Sequence, residues 1–568
     1  MPATPRPQTT PSIPDSVQTS RSGGNLIKTL RILVAAGIGM AALLSLLPAA
    51  GHDQIWFLLM GERWIGGATL YGPTLFDSNP PLVVWLSAIP VLLGEYFGLS
   101  PTALGKLLVL LVEFIGASLS LSILRRLSPG LGRTLTSSQI TWLAFAFVCI
   151  FAVAPARDLG QRDHLTAILC LPYVLAAAVD DREAASPSHA LSSRRKTFLL
   201  RTLTGLLAAV GICLKPHQVL IPIAVELTRL LTSTRAAPVH PTLRTRLGSL
   251  LRPEPPVLIL SGVAFLLLIH RFAPAYFTLA LPTLRDTYWA IGHLTPLQLL
   301  AEAPQLHLLA ALSLALFVRA PRSPEPDPFR RATTLLIAAG LAASAAYYLQ
   351  GTGWYYQQLP AISLFAAALA LQLLNLPTFA RLPDSPWIPR ATAALAILAL
   401  ALTAHFTGYP FTLDRSFAIT SPDPAFFEHL QPGTPVAIIT TSVDDSMMPV
   451  ARYHLLWAQR TNNVWTLPAI LRSEDPQGHP PRHTLSPERL AQLERQQHAW
   501  MLEDLARWQP KLILVARCQA PEVHCQELED RHDDLLAWFA QDPAFQQIWG
   551  SYRYLRTSGS YDSYTRTN

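Results

Sequence analysis

Long apolar runs joined by short polar segments make up most of the first 410 residues. A run of roughly 17 to 25 apolar residues is long enough to cross a bilayer as a helix. The number of such runs predicts a polytopic α-helical membrane protein with about eleven transmembrane helices. The runs begin near Ile32, Pro101, Ile140, Leu165, Phe198, Val219, Val257, Leu306, Ala332, Tyr355 and Ala391.

One further run, residues 81–98, decides the topology of everything that follows it. The run is long enough to cross, but it begins with two prolines, contains Pro90 and has Glu95 near its end. If it lies along the outer surface as an amphipathic element instead, the later basic loops all fall inside the cell, where Lys and Arg are enriched. We prefer this arrangement, which places the N-terminus inside and the C-terminus outside. The basic clusters are Arg125/Arg126/Arg133, Arg194/Arg195/Lys196, Arg235/Arg244/Arg246/Arg252, Arg319/Arg322/Arg330/Arg331 and Arg381/Arg390.

Beyond about Phe411 the pattern becomes that of a soluble α/β domain. The short apolar runs 435–441 and 511–516 are typical of buried strands, and we expect them to pair in one small sheet. Residues 487–508 have helical spacing, residues 533–540 are a second helix candidate, and 549–556 with 561–566 predict a closing hairpin. The predicted organisation is a disordered cytosolic tail over 1–25, a transmembrane domain over 26–410 and an outward-facing α/β domain over 411–568.

The composition supports the membrane assignment. Hydrophobic residues make up 50% of the chain and charged residues 14%, and the mean hydropathy is +0.28. These values are too apolar for a soluble chain of 568 residues. Because basic residues gather in cytosolic loops of polytopic proteins, the pI of about 9.2 does not indicate a nucleic-acid partner.

Two cysteines, Cys518 and Cys525, follow the second predicted strand. In a domain outside the cell, an oxidising compartment permits a disulfide between them. The alternative is a zinc site that recruits His524, but a second ligand pair at suitable spacing is missing. We therefore predict no metal ligands.

The segments predicted to face outward carry the candidate chemistry. Asp53 stands four residues beyond the first apolar run. A carboxylate there is suited to take the proton of an acceptor hydroxyl, and cations on the same side are suited to hold a phosphate leaving group. The predicted catalytic residues are Asp53 and Asp163, the latter orienting the acceptor or assisting Asp53. The predicted substrate-binding residues are Arg157, Arg162, His164, Lys215, His217, Trp354, Tyr355, Tyr356 and Gln357.

Each candidate also has a structural alternative. Asp53 and Asp163 are suited to capping the helices that follow them. The arginines of residues 157–162 are suited to local ion pairs, and Lys215 to extending towards the interface. The aromatic turn 354–356 is also typical of a belt at the water boundary.

The membrane part, roughly residues 26–410, resembles the GT-C glycosyltransferases. Within that superfamily it is similar to the protein O-mannosyltransferases and the lipid A aminoarabinose transferases. The resemblance rests on the acidic residue after the first span, the Pro80-Pro81-Leu82 end of the outer loop, Asp163 near the head of a later span, and the late aromatic turn. Where the family usually has an Asp-Glu pair, this chain has Asp53-Gln54, so a role for a second adjacent carboxylate is not implied.

The resemblance implies a hexosyl- or pentosyltransferase that takes its sugar from a polyprenyl-phosphate donor. The acceptor would be a hydroxyl of a glycan, lipid or protein at the outer face of the bacterial inner membrane, with a periplasmic C-terminal domain. A single displacement would invert the anomeric configuration. No cofactor is certain, and a divalent metal stays open because related enzymes differ in metal dependence.

The alternative from another class is a polytopic lipid or sugar transporter or flippase. Transporters place charged residues near the bilayer midplane in broken helices and contain repeated sets of spans. Apart from Glu113 and Glu226, the predicted spans are almost free of charge at mid-depth, and no repeat is evident. A noncatalytic assembly or sensor protein is a third alternative, but it leaves the charged outer loops without a role.

Overall fold

A computed structural model describes residues 50–127, 135–155, 158–179, 191–232, 249–320, 327–374, 422–475, 483–528 and 531–567. Three predictions lie outside these residues: the cytosolic tail, the first span near Ile32 and the last span near Ala391. The predicted boundary between the two large domains also lies outside them.

Thirteen helices form the described membrane part. They are α1 His52–Ile65, α2 Leu82–Phe97, α3 Pro101–Leu127, α4 Ser137–Val148, α5 Arg162–Ala176, α6 Leu191–Leu214, α7 Leu220–Thr232, α8 Glu254–Phe272, α9 Leu281–Thr287, α10 Pro296–Glu302, α11 Pro304–Arg319, α12 Pro328–Gln350 and α13 Tyr355–Leu374.

Five of the described helices are long and apolar enough to cross a membrane: α3, α6 from Arg195, α8, α12 and α13. Helices α10 and α11 meet at 85° and count as a sixth span if taken together. The structure therefore confirms a polytopic helical membrane protein, whereas eleven spans are not confirmed. The runs predicted at Leu165 and Val219 form helices of only 15 and 13 residues. Helix α5 is buried among its neighbours along its whole length, which explains its apolar sequence without lipid contact.

Small residues let the neighbours of α5 approach it closely. A Cβ on Gly116 of α3 would lie 2.6 Å from Cγ2 of Ile168. A Cβ on Gly211 of α6 would lie 3.2 Å from Cα of Thr166. Close helix contact through small residues is typical of membrane bundles. It fixes α5, whose first turn carries Arg162 and Asp163.

The C-terminal part folds as the predicted α/β unit. Its sheet has the order β2-β1-β3-β5-β4, in which β1 pairs in parallel with β2 and β3. The adjacent pairing of β1 and β3, the closing hairpin and the long helix are confirmed. The elements are β1 Pro435–Ile439, α14 Met447–Arg452, β2 Leu456–Trp457, α15 Leu467–Glu474, α16 Pro487–Trp508, β3 Leu512–Ala516, α17 Leu535–Phe539, α18 Pro543–Trp549, β4 Tyr552–Ser558 and β5 Tyr561–Arg566.

Cys518 and Cys525 form a disulfide, the pairing that an oxidising compartment permits, with Cα atoms 5.6 Å apart. The bond closes the loop after β3 at the carboxyl end of the parallel strands. The loop after β1 leaves the sheet at this same edge, so the two loops lie side by side.

The α/β unit docks on the first outer loop of the membrane part. Arg63 of α1 donates hydrogen bonds to the backbone oxygens of Trp457 and Gln459. The ring of Phe76 lies 4.4 Å from that of Trp500, centroid to centroid. A second contact joins Asp286 to Arg489 at 2.7 Å. These contacts hold the unit against the last turn of α1, the segment that follows it, and α9.

Candidate active site

The outward segments predicted from the charge pattern meet at one end of the bundle. Asp53, at the start of α1, contacts Arg162 at the start of α5. Asp163, the next residue of α5, contacts Lys215 after α6, and Lys215 lies over the ring of Tyr356 in α13. Their convergence supports the predicted alternation of sides along the chain.

Asp53 lies in a buried and positively charged environment. Its side chain is 14% exposed, and its Oδ2 is 3.3 Å from Nη2 of Arg162. Its Oδ1 is 3.6 Å from Nε2 of His52. Burial by itself would raise the pKa of Asp53, but the charges of His52 and Arg162 outweigh it and lower the pKa. The carboxylate is therefore ionised at neutral pH and able to accept a proton.

Asp163 and Lys215 form a second ion pair beside the first. Oδ2 of Asp163 is 2.9 Å from Nζ of Lys215, and the aspartate side chain is fully buried. Burial lowers the pKa of Lys215, and Asp163 opposes that effect. The contact of Asp163 is thus with a cation, which makes it the counter-ion of Lys215. Its role in orienting the acceptor or assisting Asp53 stays a prediction.

The side chains of the late aromatic turn make two different kinds of contact. The ring of Tyr356 faces Nζ of Lys215 at 5.4 Å and lies 5.7 Å from the ring of Trp354. Tyr355 instead donates a hydrogen bond to the backbone oxygen of Ala154. Gln357 accepts one from Thr352 at 2.7 Å. Tyr356 and Trp354 therefore border the charged cluster, whereas Tyr355 and Gln357 support the turn.

Three predicted binding residues do not make the direct contacts that join Arg162, Lys215 and Tyr356 to the cluster. His164 is fully buried, and its two ring nitrogens bond to backbone atoms of Gly160 and Phe151. A histidine used on both nitrogens supports structure, which corrects its predicted role in substrate binding. His217 is close enough to Lys215 and Asp163 to interact electrostatically with both. Burial is the main cause, and the charge of Lys215 the second, that lowers the pKa of His217 to about 4. Arg157 lies outside the described residues.

Four residues of the cluster are not among those that the sequence patterns predict for the site. The ring of Phe57, one turn after Asp53, lies 4.9 Å from the guanidinium carbon of Arg162. Burial raises the pKa of Tyr288 to about 12, and nearby Arg162 opposes that rise. The other two are His52 and Gln161. All four are neighbours of predicted residues or lie in predicted outer segments, but single-sequence patterns do not reveal which of them turn inward.

Several buried polar atoms of the cluster have no hydrogen-bond partner among the described residues. They are Nε of Arg162, Oε1 of Gln161, Oδ1 of Asp163 and Nε2 of His217. A buried polar group left without a partner costs about 1 to 3 kcal/mol. Such groups, gathered beside two ion pairs, indicate that the cluster is built to receive a polar ligand.

The residues present do not fit a bound divalent metal. Within the described ranges, no group of three or more His, Cys, Asp or Glu side chains is placed to hold an ion. Both oxygens of Asp53 already lie near cationic side chains.

Comparison with solved structures shows the class of fold. ArnT from Cupriavidus metallidurans bound to undecaprenyl phosphate aligns with a TM-score of 0.50 and 14% identity, over 94% of this chain and 97% of that chain. No protein-family model and no curated protein sequence matches the chain, so the likeness lies in the structure.

Two further neighbours align with lower scores. The Archaeoglobus fulgidus oligosaccharyltransferase tethered to an acceptor peptide has a TM-score of 0.44 and 13% identity, over 94% of this chain and 74% of that chain. The mycobacterial arabinofuranosyltransferase AftD has a TM-score of 0.39 and 13% identity, over 95% of this chain and 40% of that chain. The alignment with ArnT, a GT-C glycosyltransferase, shows that the two chains share a fold, so the resemblance predicted from the sequence is confirmed at the level of the fold.

Proposed function

We propose that this protein is a membrane glycosyltransferase that moves a sugar from a polyprenyl-phosphate donor to an acceptor hydroxyl. The observation that carries the proposal is the buried pair of Asp53 and Arg162, in which the carboxylate is ionised and the guanidinium keeps an unpaired Nε. The first can accept a proton, and the second can bind phosphate oxygens. Support also comes from the fold shared with an ArnT that was solved with undecaprenyl phosphate.

Asp53 serves as the general base. The acceptor oxygen attacks the anomeric carbon, the bond from that carbon to the phosphate oxygen breaks with its electron pair, and the hydroxyl proton passes to Asp53. Because the pKa of Asp53 is lowered, the carboxylate holds a proton weakly. Proton transfer therefore occurs as the new bond forms, when the attacking oxygen becomes strongly acidic. One displacement inverts the anomeric configuration.

Arg162 and Lys215 stabilise the leaving phosphate. Negative charge grows on the phosphate as the sugar departs, and fixed cations in a site shielded from water are most effective against it. Both cations are held by carboxylates, Arg162 by Asp53 and Lys215 by Asp163. Tyr356 and Trp354 line the same space and are suited to pack against the sugar or the first isoprene unit.

The proposed location is the outer face of the bacterial inner membrane. The clusters of Lys and Arg in the alternate loops indicate that the charged cluster lies at the side opposite to the cytoplasm. In this arrangement residues 26–410 form the catalytic membrane domain and residues 411–568 a periplasmic domain. The acceptor is then a glycan, lipid or protein hydroxyl outside the cytoplasm.

The experiment is a transfer assay in liposomes. Purified protein is incubated with radiolabelled polyprenyl-phosphate sugars and candidate acceptors, and release of lipid phosphate and movement between leaflets are followed together. Asp53→Asn keeps the shape of the side chain but removes its basicity, so transfer should fall by about 10² to 10⁴.

Gln54→Glu is the matched control, because it changes the adjacent residue and leaves Asp53 in place. It should retain transfer. Movement of lipid without cleavage across the donor panel, with Asp53→Asn behaving as wild type, would establish a flippase and refute the transferase.

A further inference from the structure

His52 links the candidate base to the C-terminal domain. Its Nδ1 lies 2.6 Å from Oδ1 of Asp444, and its Nε2 lies 3.6 Å from Oδ1 of Asp53. The two aspartates belong to different domains, 391 residues apart by the difference of their numbers, 444 and 53. One imidazole thus faces a carboxylate on each side.

The loop that carries Asp444 is anchored through the residues on either side of it, while the Asp444 side chain itself is 76% exposed. It follows β1, and α14, which comes next, packs against α1. Within the loop, Ser446 donates a hydrogen bond to the backbone oxygen of Val443. The hydroxyl of Tyr561 donates to Oδ2 of Asp445 at 2.9 Å. Further contacts, of Arg63 in the last turn of α1 and of Phe76 after it, hold the domain against the far end of the same helix.

The protonation of His52 decides whether it can reach Asp53. If Nδ1 donates its proton to Asp444, a neutral ring has a bare lone pair on Nε2, which faces a carboxylate oxygen and repels it. Only the doubly protonated ring can bond to both sides. Burial alone lowers the pKa of His52, but the carboxylates of Asp53, Asp444 and Asp158 raise it to about 9. The two carboxylates therefore favour the doubly protonated ring, which faces both of them.

We propose that Asp444 is a positioning residue for glycosyl transfer, which through its hydrogen bond to His52 holds the imidazole against Asp53 and so orients the base. This inference rests on the proposed function of Asp53. It gives the C-terminal domain a direct part in the reaction, because the base is fully oriented only when that domain is docked on the first outer loop.

The test measures kcat and KM for Asp444→Ala, His52→Asn and the double variant. Asp444→Ala should lower kcat about tenfold with little change in the donor KM, within the range of coupling between contacting groups. Because Asp444 acts through His52, adding Asp444→Ala to His52→Asn should lower kcat no further. If the second substitution costs the same tenfold in both backgrounds, Asp444 does not act through His52 and the proposal is wrong.

A pH profile separates positioning from general support. For the wild type, kcat should decline as the pH rises through about 9, because His52 loses its second proton there. Asp444→Asn keeps an acceptor for the imidazole but removes the charge, so the decline should begin at lower pH, towards the ordinary value of 6.5. An unchanged profile in Asp444→Asn would overturn the proposal.

Arg489→Gln is the control for domain docking. It breaks the contact with Asp286, which involves none of the residues around Asp53. It should leave kcat and the pH profile as in the wild type. If the pH profile of Arg489→Gln shifts as much as that of Asp444→Asn, the shift is caused by weakened domain docking and the proposed role of Asp444 is wrong. Failure of the underlying function looks different: the wild type would then show no transfer, or Asp53→Asn would transfer as well as the wild type. Failure of this inference alone leaves Asp53→Asn inactive and Asp444→Ala normal.

Discussion

The substitution Asp163→Asn gives the sharpest test of how the charged cluster is built. The side chain of Asp163 is 0% exposed and that of its partner Lys215 is 10% exposed, with 2.9 Å between Oδ2 and Nζ. The amide removes the negative charge and keeps the shape. Lys215 is then left as a buried cation beside Arg162, whose charge already lowers its pKa.

The expected loss of stability is large. Removing one partner of a buried ion pair typically costs roughly 3 to 5 kcal/mol, because the other charge stays buried without compensation. The protein recovers part of this cost when Lys215 releases its proton. Burial lowers the pKa of Lys215 and Asp163 raises it, so the pKa in the variant falls further. An unfolded chain then binds more protons than the folded one, and the stability of the variant should rise with pH.

The assay is thermal unfolding of purified protein in detergent between pH 6 and pH 10, with transfer activity measured on the same samples. Asp163→Asn should unfold well below the wild type at pH 6, and the difference should shrink towards pH 10. The double variant Asp163→Asn/Lys215→Met removes both charges, so it should regain most of the stability but remain inactive. Wild-type stability of Asp163→Asn at pH 6, or a double variant as unstable as the single one, would refute the ion-pair argument.

Two further predictions concern topology and helix packing. A cysteine at Ser78 or Ser473 should react in whole cells with a thiol reagent that does not cross the membrane, whereas one at the exposed Arg125 should not; labelling at Arg125 would place α2 across the bilayer. Gly61→Ala should destabilise the protein by about 1 to 3 kcal/mol in thermal unfolding and lower transfer, because its Cβ would lie 2.9 Å from backbone atoms of Ser87 and force α1 from α2. Wild-type melting and activity in this variant would mean that the two helices can separate freely.

The sequence reveals those parts of the fold that local patterns encode. Apolar continuity predicts the spanning helices, and the distribution of Arg and Lys predicts which loops share a side. In the C-terminal domain, short apolar runs and the turn before Tyr561 predict the paired strands and the hairpin. The periodicity does not distinguish a lipid-facing helix from one enclosed by protein, which is why α5 was predicted as a span of its own.

Which charged residues pair with one another in the site depends on tertiary packing, and the local sequence patterns do not predict it. Asp53 and Asp163 both stand near the head of a helix in an outer segment, yet one pairs with Arg162 and the other with Lys215. His52 precedes Asp53 directly, but its importance depends on Asp444 in another domain. No spacing rule connects positions so distant, because the contact exists only when the C-terminal domain packs against α1.

Under the proposed function, the pairing of Asp53 with Arg162 would also couple donor binding to the strength of the base. Arg162 lowers the pKa of Asp53 in the free protein. When a donor phosphate binds to Arg162, the guanidinium is shared between two anions, and the phosphate adds its own negative charge nearby. Both changes raise the pKa of Asp53 towards the range in which it accepts a proton more strongly. The base is therefore weak until the leaving group is in place, which suits an enzyme that must not act on its acceptor alone. A flippase has no proton to transfer, so it would gain nothing from a carboxylate placed against its phosphate-binding cation.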